Sequence, residues 1–339
     1  MKIGIVGYQG VGKSTVFQWL TGETPDPSLS HTSQSAMCVV PEPRVAQLCE
    51  IYEPKKTTLA SLEIVDTPGL SRDHEGSAGR LATIREAGCL VVVAAAFGGN
   101  DPSADLHGFD EDLWIADLDI IAGRLERLRE QVKKPRPNRE ELAKELELLT
   151  PLYEAMENGQ ALRDMELSEQ QQKVIRAFQL FSEKPRMFVV NTADDDSDFD
   201  RFEIPAGVTT VFAPLRLEVE LAEMEPAERE AFMEEMGIEA ADRDSLIRTI
   251  MDVSNQMLFF TAGEKEVRTW MIRKGGTAVE AAGNIHTDLA RGFIRAETMT
   301  CDDLVRLGSE REVKAQNLAR KEHKEYVIQD GDVITIQHN

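Results

Sequence analysis

The sequence predicts an α/β fold: a parallel sheet built on a glycine-rich first turn, an inserted antiparallel α-helical hairpin, and a C-terminal β-grasp module. Three observations predict it. KIGIVGYQGVGKSTVFQWLTG at the start reads as strand, glycine-rich loop and amphipathic helix. Apolar residues between Trp114 and Met156 recur at alternating spacings of four and three, in two runs. From about Trp270 onward, short strands alternate with one helical stretch.

At 339 residues, 42% hydrophobic and 29% charged, the chain suits two or three globular domains. The net charge of −22 argues against a general binder of nucleic-acid backbone, so any such contact needs a local basic patch. Cys38, Cys49, Cys89 and Cys301 have neither paired spacing nor a histidine cluster, which suits reduced thiols. MKIGIVG opens directly into strand pattern, and no apolar run approaches the roughly 18 residues that span a bilayer. The expectation is a soluble cytoplasmic protein with no membrane contact.

Ile3 to Val6 form the first strand, and Gly7-Tyr-Gln-Gly-Val-Gly12-Lys13-Ser14 matches the P-loop pattern GxxxxGK[ST] between strand and helix. Gly7, Gly10 and Gly12 let backbone N–H groups of the loop, those of Val11 and Thr15 included, close around phosphate oxygens. The helix N-terminus adds partial positive charge. Lys13 reaches the outer phosphates, and Ser14 offers a hydroxyl to Mg²⁺. The rest of the helix buries Val16, Phe17 and Leu20.

LASLEIVDTPGLSRD supplies the second element. Leu62, Ile64 and Val65 make a strand that ends at Asp66, a carboxylate suited to a magnesium-bound water. Gly69 can offer its N–H to a terminal phosphate. DxxG at this distance after a P-loop points to a nucleotide switch, and the polar SRDHEGSAGR behind it suits a switch loop. Leu70 stands where many switch hydrolases carry a water-orienting glutamine, so turnover without a partner should be slow. Arg72 and His74 are substitutes within reach, although an exposed loop histidine is the blander reading of His74. Thr32, in SHTSQSAMCVV, is a candidate second magnesium ligand.

The buried strand CLVVVAAAF (89–97) should be followed by a base-reading strand, yet FVVN arrives only at 188–191. The insertion carries Trp114, Leu118, Ile121, Leu125, Leu128 and Val132, then Leu142, Leu146, Leu149, Tyr153 and Met156. These make two helices of about 30 Å each, with Pro151 expected to bend or restart the second. Between them KKPRPNR concentrates Lys133, Lys134, Arg136 and Arg139. That patch suits RNA phosphates; a solvated tip is the alternative. Further on, WMIRKG and GFIRAETM flank a helix and turn, and EYVIQDGDVITIQ reads as a turn between two short strands.

GIVGYQGVGKST, VVPEPRVAQLCEIYEPKKT, ADLDIIAGRLERL, FFTAGEKEVRTW, AAGNIHTDLARGFIRAETM and VIQDGDVITI together resemble the YchF subfamily of Obg-related P-loop NTPases, nearly end to end. The resemblance implies a nucleotide-binding domain in two parts (1–111 and 165–268), a helical hairpin (112–164) and a TGS domain of β-grasp type (269–339). It also implies Mg²⁺-dependent hydrolysis of ATP or GTP and association with ribosomes or structured RNA through the hairpin tip and the TGS domain. Lys13, Ser14, Thr32 and Asp66 fall on the family's phosphate and magnesium positions, and a hydrophobic residue after DxxG is usual there.

The base loop departs from the pattern. Asn191-Thr192-Ala193-Asp194 is neither the family's Asn-x-x-Glu nor the Asn-Lys-x-Asp of GTPases, and VFAPLRLE has no Ser-Ala element. Asp194 can accept hydrogen bonds from guanine, which adenine cannot donate; Thr192 lacks a long stem to cover the base. The polar loop between Phe97 and Glu111 is shorter than the family's. The leading expectation is an NTP-driven switch, with Lys13, Asp66 and Gly69 at the reacting phosphate. The alternatives are a nucleotide sensor with little hydrolysis and a small-molecule kinase, the latter disfavoured by the DxxG element and the C-terminal module.

Overall fold

The computed structural model describes residues 1–29, 31–72, 77–196, 198–236 and 242–339. They divide into two units, one of residues 1–36 and 63–241, the other of 37–62 and 242–339.

β1 (Lys2–Val6) runs through the glycine-rich turn into α1 (Lys13–Thr21). β2 (Gln34–Val39), α2 (Arg44–Tyr52) and a two-residue β3 (Thr57–Thr58) follow. Then come β4 (Ser61–Asp66), α3 (Ser77–Ile84) and β5 (Cys89–Ala95). The hairpin is α4 (Pro102–Val132) and α5 (Arg139–Glu157), with α6 (Glu169–Ile175) after it. β6 (Arg186–Asn191), β7 (Thr210–Ala213), α7 (Leu215–Glu223) and α8 (Pro226–Met236) complete this stretch.

The first sheet has the order β2-β4-β1-β5-β6-β7, with β1 parallel to β4 and β5, and β6 parallel to β5 and β7. All seven residues of β5 are buried, as a central strand covered on both faces requires. FVVN closes β6, the fifth strand of this sheet in chain order. Because the order reverses around β1, the loop after β1 opens at a topological switch point, where α/β sheets place ligands.

The hairpin is antiparallel and seamed by Ile121, Leu125, Leu128, Leu142, Leu149, Leu152 and Met156; Leu152 joins from outside the expected heptad pattern, whose Leu146 and Tyr153 are only partly buried. Its limits differ from 112–164. α4 begins at Pro102, because Asp101 accepts from the backbone N–H of Ser103 and Ala104 and Pro102 suits the first helical position. The expected polar loop is therefore helix. At 31 residues, α4 reaches about 46 Å, well beyond the expected length. α5 runs through Pro151 without restarting. Near the hairpin base the fully buried Asp117 accepts from Arg85 Nη1 at 2.7 Å and from the backbone N–H of Ser182 at 2.8 Å.

In the second unit, α9 (Arg243–Val253), β8 (Gln256–Thr261) and β9 (Val267–Arg273) lead to α10 (Ala278–Ile285) and α11 (Thr287–Arg291). β10 (Phe293–Thr300), α12 (Cys301–Leu307), α13 (Glu310–Ala315), β11 (Arg320–Glu322) and β12 (Asp332–His338) follow. The sheet order is β11-β10-β12-β8-β9-β3. Alternate residues feed opposite faces: Phe259 and Ile334 pack with Ala278 and Ala281 of α10, while Phe260 and Val333 pack with Leu48 of α2 and Leu304 of α12. This corrects the expected boundary at 269. β8 pairs antiparallel with β9 and parallel with β12, so residues 256–261 belong to the C-terminal sheet, and 37–62 join it through β3 and α2. Of the two strands expected in EYVIQDGDVITIQ only β12 forms; the other is a single bridge between Thr277 and Val327.

Candidate functional site

The turn after β1 is shaped by backbone geometry that glycine alone tolerates. Gly7, Gly10 and Gly12 all have positive φ. At Gly12 (φ 103°) a Cβ would stand 2.3 Å from Nδ2 of Asn191. Gly12 caps α1 without any side-chain acceptor; its carbonyl accepts from Thr15 N–H at 3.1 Å and Val16 N–H at 3.0 Å, and the N–H groups of Lys13 and Ser14 ahead of them suit a ligand.

Lys13 is buried, with Nζ donating to the Tyr8 carbonyl at 2.7 Å. Burial pulls its pKa from near 10.5 to about 8, against the attraction of Asp66, and the charge of Arg80 lowers it further. Ser14 Oγ donates to Asp66 Oδ2 at 2.7 Å. Burial raises the Asp66 carboxyl above its usual range, opposed by the Ser14 hydrogen bond and by Lys13. Its other oxygen, Oδ1, is buried with no hydrogen-bond partner among the described residues.

Leu70 is buried, and its backbone is stitched to the first loop: its N–H donates to Gly7 O and its carbonyl accepts from Gln9 N–H, both at 3.1 Å. The hydrophobic residue thus anchors the DxxG turn where a glutamine would have to face solvent. Gly69 lies so close that a Cβ there would come 2.5 Å from Lys13 Nζ. Gly10, Lys13, Ser14, Thr15, Thr32, Asp66 and Gly69 line one cavity of about 570 Å³. Thr32 is exposed, its hydroxyl donating to Leu29 O at 3.0 Å.

The base-loop residues stand apart from that cavity. Buried Asn191 donates from Nδ2 to Val11 O at 3.1 Å and accepts from Leu215 N–H at 3.3 Å, so it braces the first loop from β6. Thr192 is buried, and its hydroxyl has no partner among the described residues. Asp194 is exposed in the turn beyond. Arg72 does not reach the cavity: its guanidinium pairs with Asp105 and lies over the Tyr8 ring, so it is not the substitute group the spacing suggested. His74 lies outside the described residues. Lys133, Lys134, Arg136 and Arg139 are all exposed at the hairpin tip. Sequence reasoning missed Arg80, which lines the cavity from α3; a cation closing the polar switch segment was the available signal.

The donor set suits a hard divalent cation. Asp66 Oδ1 has no partner among the described residues, Ser14 and Thr32 line the same cavity, and the remaining ligands would be phosphate and water. Among the described residues no group of three or more His, Cys, Asp or Glu forms a protein-only cage. No described helix is long and apolar enough to cross a membrane.

A phosphate loop at the switch point of a parallel sheet, with a DxxG turn pinned against it, defines a P-loop NTPase. The family model MMR_HSR1, "50S ribosome-binding GTPase", matches residues 2–121, and YchF-GTPase_C, "Protein of unknown function (DUF933)", matches 257–339. "Ribosome-binding ATPase YchF" of Bacillus subtilis is 32% identical over 366 residues, covering 100% of this chain and 99% of that protein. "Obg-like ATPase 1" of Oryza sativa subsp. japonica is 34% identical, covering 100% and 92% respectively. The structure of the Schizosaccharomyces pombe YchF GTPase aligns over 99% of this chain and 97% of that one, at 27% identity and a TM-score of 0.83. The chain belongs to the YchF family.

Proposed function

We propose that this chain is a Mg²⁺-dependent ATPase whose nucleotide state governs its association with ribosomes or structured RNA. One observation carries the reading: Lys13, Ser14, Thr32 and Asp66 converge on one cavity, with a buried Asp66 oxygen left unpartnered. In this reading the loop amides of residues 10–15 and Lys13 bind the outer phosphates, and Gly69 offers its N–H to the terminal one. Ser14, Thr32 and Asp66 would hold Mg²⁺, directly or through water; when bound it neutralises phosphate charge. Asn191 keeps the loop in register, while Thr192 and Asp194 face the base. The ATPase names of the relatives support ATP; Asp194, an acceptor, favours guanine.

Fluorescent ATP and GTP, titrated with and without Mg²⁺, test this in wild type, Lys13→Ala and Asp194→Ala. Magnesium-dependent binding of ATP that is lost in Lys13→Ala and unaffected in Asp194→Ala is the expected result. A preference for GTP that vanishes in Asp194→Ala would reassign the base. Tight binding that survives Lys13→Ala would sink the site.

A further inference from the structure

Besides Lys13, the cavity is lined by a second cation. Arg80, on α3, is half-buried, and its Nη1 donates to the carbonyl of Gly69 at 2.8 Å. A Cβ on Gly69 would stand 2.5 Å from Lys13 Nζ, so both cations lie beside the residue assigned to the terminal phosphate. Of the cavity's carboxylates, Asp66 accepts from the Ser14 hydroxyl through Oδ2, and Asp26 is held by its own loop, accepting from Ser28 N–H at 2.9 Å. The neighbouring arginines are committed elsewhere, Arg72 to Asp105 and Arg85 to buried Asp117.

We propose that Arg80 is a catalytic residue of this site, its guanidinium engaging the terminal phosphate of the bound nucleoside triphosphate. The proposal rests on the reading of the cavity as a triphosphate site. A guanidinium carries five donors in a planar fork, so one N–H on Gly69 O leaves others for phosphate oxygens. In hydrolysis the water oxygen bonds to the terminal phosphorus while the bond from phosphorus to the bridging oxygen breaks. The electron pair leaves with the diphosphate, and the water proton ends on phosphate or solvent. Arg80 gives up no proton; it offsets charge spreading over the phosphoryl and bridging oxygens. Leu70 cannot orient the water, so charge supplied from within the chain is what this site offers to lower the barrier.

Arg80→Ala and Arg80→Lys in the full chain test this with three readouts: ADP affinity, the gain in ADP affinity on adding aluminium fluoride with Mg²⁺, and single-turnover ATP hydrolysis. ADP lacks the terminal phosphate, so its affinity should change less than about twofold in either variant. Hydrolysis should fall about 100-fold or more in Arg80→Ala, the scale for loss of one charge-stabilising donor, and the aluminium fluoride gain should disappear. Free guanidinium should restore part of the Arg80→Ala rate, and Arg80→Lys should restore little, lacking the fork. An aluminium fluoride gain that survives Arg80→Ala overturns the proposal. So does a fall in ADP affinity matching the fall in rate and repaired by Arg80→Lys, the signature of a residue that merely holds Gly69. Wild type that binds neither ATP nor ADP would bring down the site reading itself, and Arg80 with it.

Discussion

Lys13 shows how burial and chemistry oppose each other within one side chain. Its ammonium is desolvated by burial, which holds its pKa near 8, whereas bound phosphates would favour the charged form. Two trends of opposite sign follow between about pH 8 and its ordinary value near 10.5. The unfolded chain keeps this proton longer than the fold does, so the lysine's destabilising contribution fades and stability gains from this group as pH rises. Nucleotide binding then has to recover the proton, so affinity should drop by up to about tenfold per pH unit. Calorimetric titrations from pH 7 to 10 in two buffers of different ionisation enthalpy should show proton uptake growing above pH 8. Absence of uptake would place the lysine elsewhere during binding. Legibility was uneven at this scale. GxxxxGK[ST] and DxxG named Lys13, Ser14, Asp66 and Gly69 because phosphate chemistry demands those residue types in a contiguous run. Arg80 belongs to no such run, and its position depends on how α3 is set against the DxxG turn.

The hairpin is an element whose seam was legible and whose ends were not. Heptads report the buried face, so the antiparallel pairing of α4 with α5 follows from the sequence; the start at Pro102 follows from a cap that a polar-loop reading obscured. At the tip, Lys133 pairs with Glu130, and Arg139 donates to the carbonyl of Val132. Lys134 and Arg136 are exposed, and their backbones close the turn: Lys134 N–H donates to Gln131 O at 3.2 Å and Arg136 O accepts from Arg139 N–H at 3.3 Å. If this tip meets RNA, neutralising Lys133, Lys134, Arg136 and Arg139 together should weaken RNA binding. It should also flatten the slope of log affinity against log salt by roughly one unit per lost phosphate contact. An unaltered slope would leave the tip as a solvated turn. The base of the hairpin is held differently, by the buried Asp117 with Arg85 and Ser182. Removing one partner from such a pair typically costs about 3–5 kcal/mol, which anchors α4 firmly.

At the scale of the whole molecule, the chain divides in space where it does not divide in sequence. Residues 37–62 lie between the P-loop and the DxxG element, yet they belong to the C-terminal sheet unit. Leu48 of α2 is fully buried against Phe260, Leu304 and Val333. Leu48→Ala should cost about 2–5 kcal/mol. Hydrogen exchange should register the loss in β8, β10 and β12, leaving β1, β5 and β6 protected. Loss of protection in β1 and β5 instead would return 37–62 to the nucleotide-binding part.

The sequence by itself determined the class of protein, the residues of the glycine-rich and DxxG turns, and the presence of a helical hairpin. Each of these is written in contiguous residues whose spacing answers to local physics: loop amides closing on phosphate, helices repeating every three to four residues. Only the tertiary structure decided that α2 and β3 complete a distant sheet, that Asn191 braces the first loop, and that Arg80 reaches the cavity. Those relations join residues far apart in the chain, through burial and hydrogen bonds that leave no period and no spacing to read.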